Sequence, residues 1–231
     1  MKNLTQNEIL SIVLTAAKDY SEKLLDKHFL VIYQDRASKN AYKYKEIGFR
    51  DYNFLHLTGL KTDMSASAFF SAATSDRLSV NQFNPDKQGR CIQKLNVLPY
   101  LSNLLYNKCL IGDFINSGIS IKADYFAGDT RSIISLGFRK GTTVDNPVSL
   151  YNEDIKKLSN PTNRVIAIFS KAFDSAYYES TTYTHEVFNL NTLLAAYPDL
   201  PIKKTDKPEE ATNDVPSLPV ENQHDQASTT S

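Results

Sequence analysis

The N-terminal part of the chain carries a strongly helical pattern. Apolar residues recur at positions 9, 12, 13, 16, 20 and 24, which is the spacing of one face of an α-helix. Thr5 and Glu8 precede this face as a capping box, in which the hydroxyl and the carboxylate satisfy backbone amides at the helix start. The pattern predicts an amphipathic helix over residues 6–27. His28 would lie at its C-terminal end, where a cationic side chain complements the helix dipole.

Short β-branched and aromatic runs follow this helix and predict strands. Residues 29–33 and the alternating residues 42–49 are separated by a polar stretch, which indicates a hairpin. A third strand is expected over residues 53–60, and the small-residue run 65–74 predicts a helix. The predicted order is therefore one helix, three adjacent strands and a second helix.

The rest of the body alternates between short strand-like runs and turn residues. A turn is predicted over residues 84–89, strands over residues 91–98, 111–114, 122–126, 132–139, 164–171 and 177–187, and helices over residues 99–108 and 149–158. Strands that follow one another with short connections favour antiparallel pairing. The expected fold class is therefore α+β, with the N-terminal amphipathic helix packed on a mainly antiparallel β-sheet and with short additional helices.

Composition divides the chain into a body and a tail. All 25 Phe and Tyr residues lie at or before Tyr197, and residues 203–231 contain three Lys against six Asp and Glu. A segment without aromatic residues cannot bury enough apolar surface to offset the entropy lost on ordering. We therefore expect one folded domain over residues 1–202 and a disordered acidic tail over residues 203–231.

Charge and cysteine content exclude several classes of protein. Residues 1–202 hold 23 of the 26 basic and 20 of the 26 acidic residues, too small an excess for a protein that binds nucleic acid by charge alone. Cys91 and Cys109 match no zinc-binding or disulfide pattern, so no metal or cofactor is expected. No apolar stretch approaches the roughly 20 residues that span a bilayer. We therefore expect a soluble, cytoplasmic protein without a membrane partner.

Candidate catalytic residues lie on three of the predicted strands. A period of two would place His56 and Thr58 on one face of the third strand. His56 would there be either a proton-transfer residue or a core histidine that is hydrogen-bonded within a mostly apolar face. Arg139, Ser170 and Lys171 end two other strands, where cationic and hydroxyl groups could form a phosphate-binding corner. Lysines at strand ends also occur as solvated charges that discourage edge pairing, and this alternative stays open.

The sequence lacks the motifs of several hydrolase and nucleotide-binding classes. It contains no G-x-x-x-x-G-K-[ST] phosphate loop, no G-x-G-x-x-G, no H-E-x-x-H and no G-x-S-x-G. The remaining candidates, a histidine with cations and hydroxyls, suit metal-independent cleavage of RNA. In that reaction a base removes the ribose 2′-hydroxyl proton, a cation stabilises the phosphorane and an acid protonates the leaving oxygen.

Five segments, taken in their order along the chain, resemble one family of nucleases. They are residues 29–33, 53–60, 111–114, 136–138 and 164–171, with F-L-H-L-T-G as the most specific string. Together they resemble the fourth phage group of the barnase, EndoU, colicin and RelE-like (BECR) fold, over roughly residues 5–185. The resemblance implies a nuclease domain with an N-terminal helical part and an antiparallel sheet of four or more strands.

The resemblance also implies an activity and a site. Because the group occurs in bacteriophages and other mobile elements as ribonuclease toxins or effectors, it implies a metal-independent endoribonuclease that forms a cyclic phosphate in the bacterial cytoplasm. Carried over by position, it nominates His56 as general base or acid with Thr58 beside it, and it nominates Arg139, Ser170 and Lys171 as phosphate or hydroxyl partners. RNA would bind through a local basic patch, and an antidote or host protein is a further expected partner. The alternative is a non-enzymatic binding module of the same fold that inhibits a host protein.

Overall fold

The computed structural model of the chain describes residues 4–85, 90–115 and 123–203. The predicted turn over residues 84–89 lies mostly outside this part of the chain, and so does the predicted tail from residue 204 on. The helices are α1 (Gln6–Lys23), α2 (Asp51–Thr58), α3 (Ala66–Thr74), α4 (Arg90–Val97), α5 (Ile155–Leu158) and α6 (Leu190–Ala196), with 3₁₀ helices over Arg36–Ser38, Val80–Gln82 and Leu98–Tyr106. The strands are β1 (Lys27–Asp35), β2 (Ala41–Phe49), β3 (Leu110–Asp113), β4 (Tyr125–Asp129), β5 (Ile134–Arg139), β6 (Asn146–Tyr151), β7 (Asn163–Ala172) and β8 (Ser180–Thr184).

The strands of the described residues form one curled antiparallel sheet. Its order is β2-β1-β7-β3-β4-β5-β6, and β8 pairs with the later residues of β7. The two ends of the sheet meet, because Gly48 N donates to Asp145 O at 2.9 Å and Asp145 N donates to Glu46 O at 2.8 Å. Every pairing between these strands is antiparallel, so the predicted α+β class is confirmed.

Helix α1 starts where the capping box predicts it. The Thr5 hydroxyl accepts a hydrogen bond from Glu8 N at 3.2 Å, and the Glu8 carboxylate accepts one from Thr5 N at 2.8 Å. The helix ends at Lys23 rather than at residue 27, because Leu24 caps it and Asp26 adopts a left-handed backbone conformation (φ 52°). The chain turns there and continues directly into β1.

The sheet is covered on both faces. One face packs against α1 to α4 and the long 3₁₀ helix in the largest apolar cluster, so α1 lies on the sheet as predicted. On the opposite face of β1 and β7, the side chains of Leu30, Ile32 and Phe169 pack against residues between Tyr178 and Ile202. We call these the helix-covered face and the opposite face. Within the described ranges, no helix has both the length and the apolar composition that crossing a membrane requires.

The predicted third strand is wrong, because these residues form α2. Its buried residues follow the helical period rather than alternating; they are Asn53, Phe54, Leu57 and Thr58. Gly59 ends the helix in the left-handed conformation (φ 71°), which glycine adopts at little steric cost. Residues 53–58, which predict a strand, therefore form a helix with one buried face and one exposed face.

Other element predictions are confirmed or corrected in the same way. Residues 91–98, predicted as a strand, lie mostly in α4, and Ser149, where a helix is predicted to begin, lies within β6. Helix α3 forms as predicted after Ser65, whose hydroxyl accepts from Ala68 N at 3.2 Å. Strand β7 covers the whole predicted strand 164–171.

Candidate functional site

His28 lies on β1 and not at the end of α1. It pairs with Gly48 of β2 on one side and with Lys171 of β7 on the other. Paired residues of antiparallel strands direct their side chains to the same face, with Cβ atoms about 5 Å apart. His28 and Lys171 are therefore neighbours on the opposite face, in line with Leu30. Gly48 leaves room for the imidazole, since a Cβ at this position would lie 3.3 Å from His28 Cδ2.

The His28 imidazole is half-buried and has one unpaired nitrogen. Nε2 is hidden from solvent, and the described part of the chain offers it no hydrogen-bond partner. The ring meets the Phe173 ring edge to face, with centroids 4.6 Å apart. Burial lowers the pKa of His28, and the positive charges of Lys171 and Arg50 lower it further. The imidazole is therefore neutral at neutral pH and available to accept a proton.

Arg50 is held rigidly beside this imidazole. Its Nη1 donates to Asp26 Oδ1 at 2.6 Å, in a charge-assisted hydrogen bond. Its guanidinium stacks on the Phe173 ring, with Cζ 3.2 Å from the ring centroid. Asp26 and Phe173 thus fix the plane of the cation near His28.

Tyr178 and Glu46 extend this group along the same face. Lys171 Nζ lies 5.1 Å from the centre of the Tyr178 ring, and the Tyr178 hydroxyl donates to Glu46 Oε2 at 3.1 Å. Burial, followed by the negative charge of Glu46, raises the pKa of Tyr178 above its ordinary value, so the hydroxyl stays protonated. We call His28, Glu46, Arg50, Lys171 and Tyr178 the His28 cluster.

The His28 cluster combines the groups that phosphodiester cleavage needs. A neutral imidazole can take a proton, and two cations can stabilise negative charge on phosphate oxygens. In the three described ranges, no three His, Cys, Asp or Glu side chains are placed to hold a metal ion.

Comparison with known proteins identifies a family. The family model described as phage-Barnase-EndoU-ColicinE5/D-RelE like nuclease4 (PBECR4) matches residues 12–186. The chain belongs to this family. No curated protein and no solved structure matches the chain significantly. The family resemblance inferred from the sequence segments is confirmed, and the whole His28 cluster lies within the matched PBECR4 range.

His56 and Thr58, which the sequence nominates, also lie in the PBECR4 match. Their side chains do not lie on the same face of α2. His56 is exposed on α2, and its backbone carbonyl accepts a hydrogen bond from Lys94 Nζ at 2.8 Å. Thr58 is fully buried, and its hydroxyl donates to Leu55 O at 2.8 Å and accepts from Leu60 N at 3.1 Å. Thr58 thus holds the end of α2, and the predicted shared face does not exist.

His56 borders a polar cleft of about 810 Å³ on the helical side of the molecule. Lys61 and Lys94 line the cleft with it, whereas Arg139, Ser170 and Lys171 do not. The predicted juxtaposition of His56 with the strand-end cations is therefore absent from this cleft.

The other three nominated residues are distributed over the sheet. Arg139 is exposed at the end of β5, opposite Asn146. Ser170 is buried and pairs with Phe29, which directs it to the helix-covered face. Lys171, one residue on, points to the opposite face and belongs to the His28 cluster. Of the five residues predicted from the sequence, the structure brings only Lys171 next to a histidine.

The sequence analysis nominates neither His28 nor Arg50. The helical spacing of apolar residues continues to residue 24, so the sequence predicts a helix up to residue 27 although β1 begins at Lys27. A usable signal exists in the alternation of β1 and β2, which places His28 in line with Leu30 and places Glu46 in line with Gly48. The sequence does not reveal that these two strands are joined to Lys171, because that depends on the pairing of β1 with β7.

Proposed function

We propose that this PBECR4 member is a metal-independent endoribonuclease whose active site is the His28 cluster. One observation carries the proposal: a half-buried histidine with a lowered pKa lies beside two cations, Lys171 and Arg50. A histidine whose pKa is perturbed by burial and by specific charged neighbours is typical of catalytic sites. The family match supports a nuclease, and RNA follows from the chemistry that these side chains can perform.

The proposed reaction is attack by the ribose 2′-hydroxyl on the adjacent phosphorus. Neutral His28 takes the 2′-hydroxyl proton as the 2′-oxygen bonds to phosphorus, and Arg50 and Lys171 stabilise the negative charge of the phosphorane. The bond from phosphorus to the 5′-oxygen then breaks with its electron pair. That oxygen takes a proton from Lys171, whose side chain lies beside the buried Tyr178 ring. The products are a 2′,3′-cyclic phosphate and a free 5′-hydroxyl.

The direct test is incubation of the purified chain with total RNA in the presence of a chelator. We expect fragments with cyclic-phosphate ends, and we expect His28→Gln to abolish most of the cleavage. His185→Gln is the matched control, because His185 lies just after β8, where its Nδ1 accepts a hydrogen bond from Val187 N. Intact RNA at micromolar protein would contradict the proposal and favour the non-enzymatic module that inhibits a host protein.

A bacterial mobile element is the proposed setting of this activity, since the family description names phages. The enzyme would then act as a toxin or effector on RNA in the host cytoplasm. An antidote protein would be required wherever the producing cell has to survive. Growth arrest on expression, relieved by Lys171→Ala, is the corresponding test in cells, and normal growth with active protein would contradict it.

A further inference from the structure

Three exposed aromatic residues lie close in the sequence to residues of the His28 cluster, and one of them, Phe173, contacts His28 and Arg50 directly. Tyr52 is 50 %, Phe173 42 % and Tyr177 54 % exposed. Single exposed aromatic residues are common on soluble proteins. Here, however, Tyr52 lies two residues from Arg50, and the other two belong to the loop that follows Lys171. At Phe173, flat apolar surface and positive charge adjoin, because the Arg50 guanidinium stacks on its ring.

Phe173 is already part of a stacked pair. The Arg50 guanidinium lies on its ring, with Cζ 3.2 Å from the centroid, and Asp26 holds the guanidinium through a hydrogen bond of 2.6 Å. Phe173 N donates to Asp26 O at 2.8 Å. Asp26 therefore anchors both the backbone of Phe173 and the side chain of Arg50. The Arg50 side chain is still 31 % exposed. The pair is a preformed platform that needs little ordering when a flat group binds.

Tyr177 is presented by the same loop and is held by its neighbour. Tyr178 is fully buried, its backbone N donates to Pro201 O at 2.7 Å, and its hydroxyl donates to Glu46. Ser175 Oγ donates to Tyr177 O at 3.1 Å. The backbone of Tyr177 is thus fixed in the loop that follows β7, while its ring is exposed.

We propose that Phe173 with its stacked Arg50, together with Tyr177, forms a base-stacking site that makes single-stranded RNA the substrate class. This inference rests on the proposed nuclease function. Unpaired bases stack on aromatic rings and on guanidinium planes, whereas the bases of a duplex are already stacked and paired. Bases seated on these side chains would bring the phosphate between them to the cations of the His28 cluster.

The test is equilibrium binding of the full chain to a short fluorescent 2′-O-methyl RNA strand. This strand has no free 2′-hydroxyl, so binding is measured without cleavage. The same strand annealed to its complement is the second probe. We expect the single strand to bind about tenfold more tightly than the duplex, within the range that one or two base stacks provide.

Substitutions in the loop separate stacking from general apolar contact. Phe173→Leu and Tyr177→Leu keep apolar bulk but lose the flat ring, and each is expected to weaken single-strand binding about tenfold. Phe173→Tyr and Tyr177→Phe keep the ring and should retain the affinity. Tyr100→Leu is the matched control, since Tyr100 is 52 % exposed on the long 3₁₀ helix, which packs against α1. Thermal unfolding shows whether each variant folds. If Phe173→Leu does not fold, the comparison of Tyr177→Leu with Tyr177→Phe tests the stacking site.

The outcomes distinguish this inference from the function on which it rests. Equal affinity for duplex and single strand, or wild-type affinity in both leucine variants, would overturn the stacking site; continued RNA cleavage by the same protein would leave the nuclease proposal standing. Absence of binding to either probe at micromolar protein would overturn both proposals.

Discussion

His28 and His56 lie in regions that differ in how firmly they position a side chain. His28 stands on a central strand, between β2 and β7, and Lys171 and Arg50 are held beside it. His56 stands on the exposed side of a helix of eight residues, where its backbone carbonyl accepts a hydrogen bond from Lys94 Nζ. Pairing across a sheet brings residues from distant parts of the chain to fixed neighbours. A histidine acquires a chemical role from such neighbours rather than from its own sequence string.

The largest expected effect compares these two histidines directly. His28→Gln should lower the cleavage rate by about 10²-fold or more, the loss that removal of a general base produces. His56→Gln should lower it by less than about threefold, because the His56 ring is exposed and no residue of the His28 cluster lines the cleft that His56 borders. Initial rates on one defined RNA strand, corrected for folded fraction, measure both.

The reverse result would break the comparison. If His56→Gln abolishes cleavage and His28→Gln does not, the active site lies in the cleft of α2 and α4, as the sequence string F-L-H-L-T-G first suggests. Thermal unfolding of His28→Gln and His56→Gln is the control, because either result can be interpreted only if both variants are folded.

Sequence reasoning was most successful where the signal is local. The capping box of α1, the Ser65 cap of α3 and the apolar run of β7 each lie within a few residues of the element that they specify. The string around His56 failed because its apolar residues fit a period of two and a helical period about equally well over eight positions. Tertiary packing of Phe54 and Leu57 into the core settles the choice in favour of the helix.

The site was less predictable than the fold because it depends on strand register. His28 and Lys171 are more than a hundred residues apart, and only the pairing of β1 with β7 brings them together. Alternation within β7 correctly separates Ser170 from Lys171. The alternation does not reveal which strand pairs with β7. The sequence therefore nominates Lys171 but does not nominate His28, its partner on β1.

The second expected effect concerns the lysines that accompany the two histidines. Lys171→Ala should lower the cleavage rate roughly 10- to 100-fold, the value of one charged hydrogen bond to phosphate. Lys94→Ala should leave the rate per folded molecule unchanged, because Lys94 Nζ is engaged by the backbone carbonyl of His56. Rates measured at several salt concentrations give a second readout: loss of a phosphate contact also reduces the salt dependence of RNA binding. Equal cleavage rates in Lys171→Ala and Lys94→Ala would mean that Lys171 does not bind the phosphate of the cleaved bond.

A third effect appears in stability rather than in activity. Thr58→Val removes the hydroxyl that serves Leu55 O and Leu60 N at the end of α2. It should lower the free energy of unfolding by about 1 to 3 kcal/mol, since two buried backbone groups lose their partner. Denaturant unfolding measures this loss, and cleavage per folded molecule should not change. A specific loss of cleavage in a stable Thr58→Val protein would restore Thr58 to the catalytic set.

The smallest expected effect is the pH dependence that His28 contributes to stability. Because its pKa is lowered in the folded protein, the unfolded chain binds more protons below about pH 6.5, the ordinary value for histidine. The contribution of His28 to stability is therefore fully present above that pH and is lost as the pH falls toward the lowered folded pKa. His28→Gln should flatten the rise in stability between about pH 5 and pH 7, and His56→Gln, which also removes one histidine, is the control variant. Denaturant midpoints across this range measure the slope of the wild-type protein and of each variant. A slope in His28→Gln identical to that of the wild-type protein would mean that neither burial nor the neighbouring cations lower the pKa of His28 in solution, and the contrast between the two regions would then rest on geometry alone.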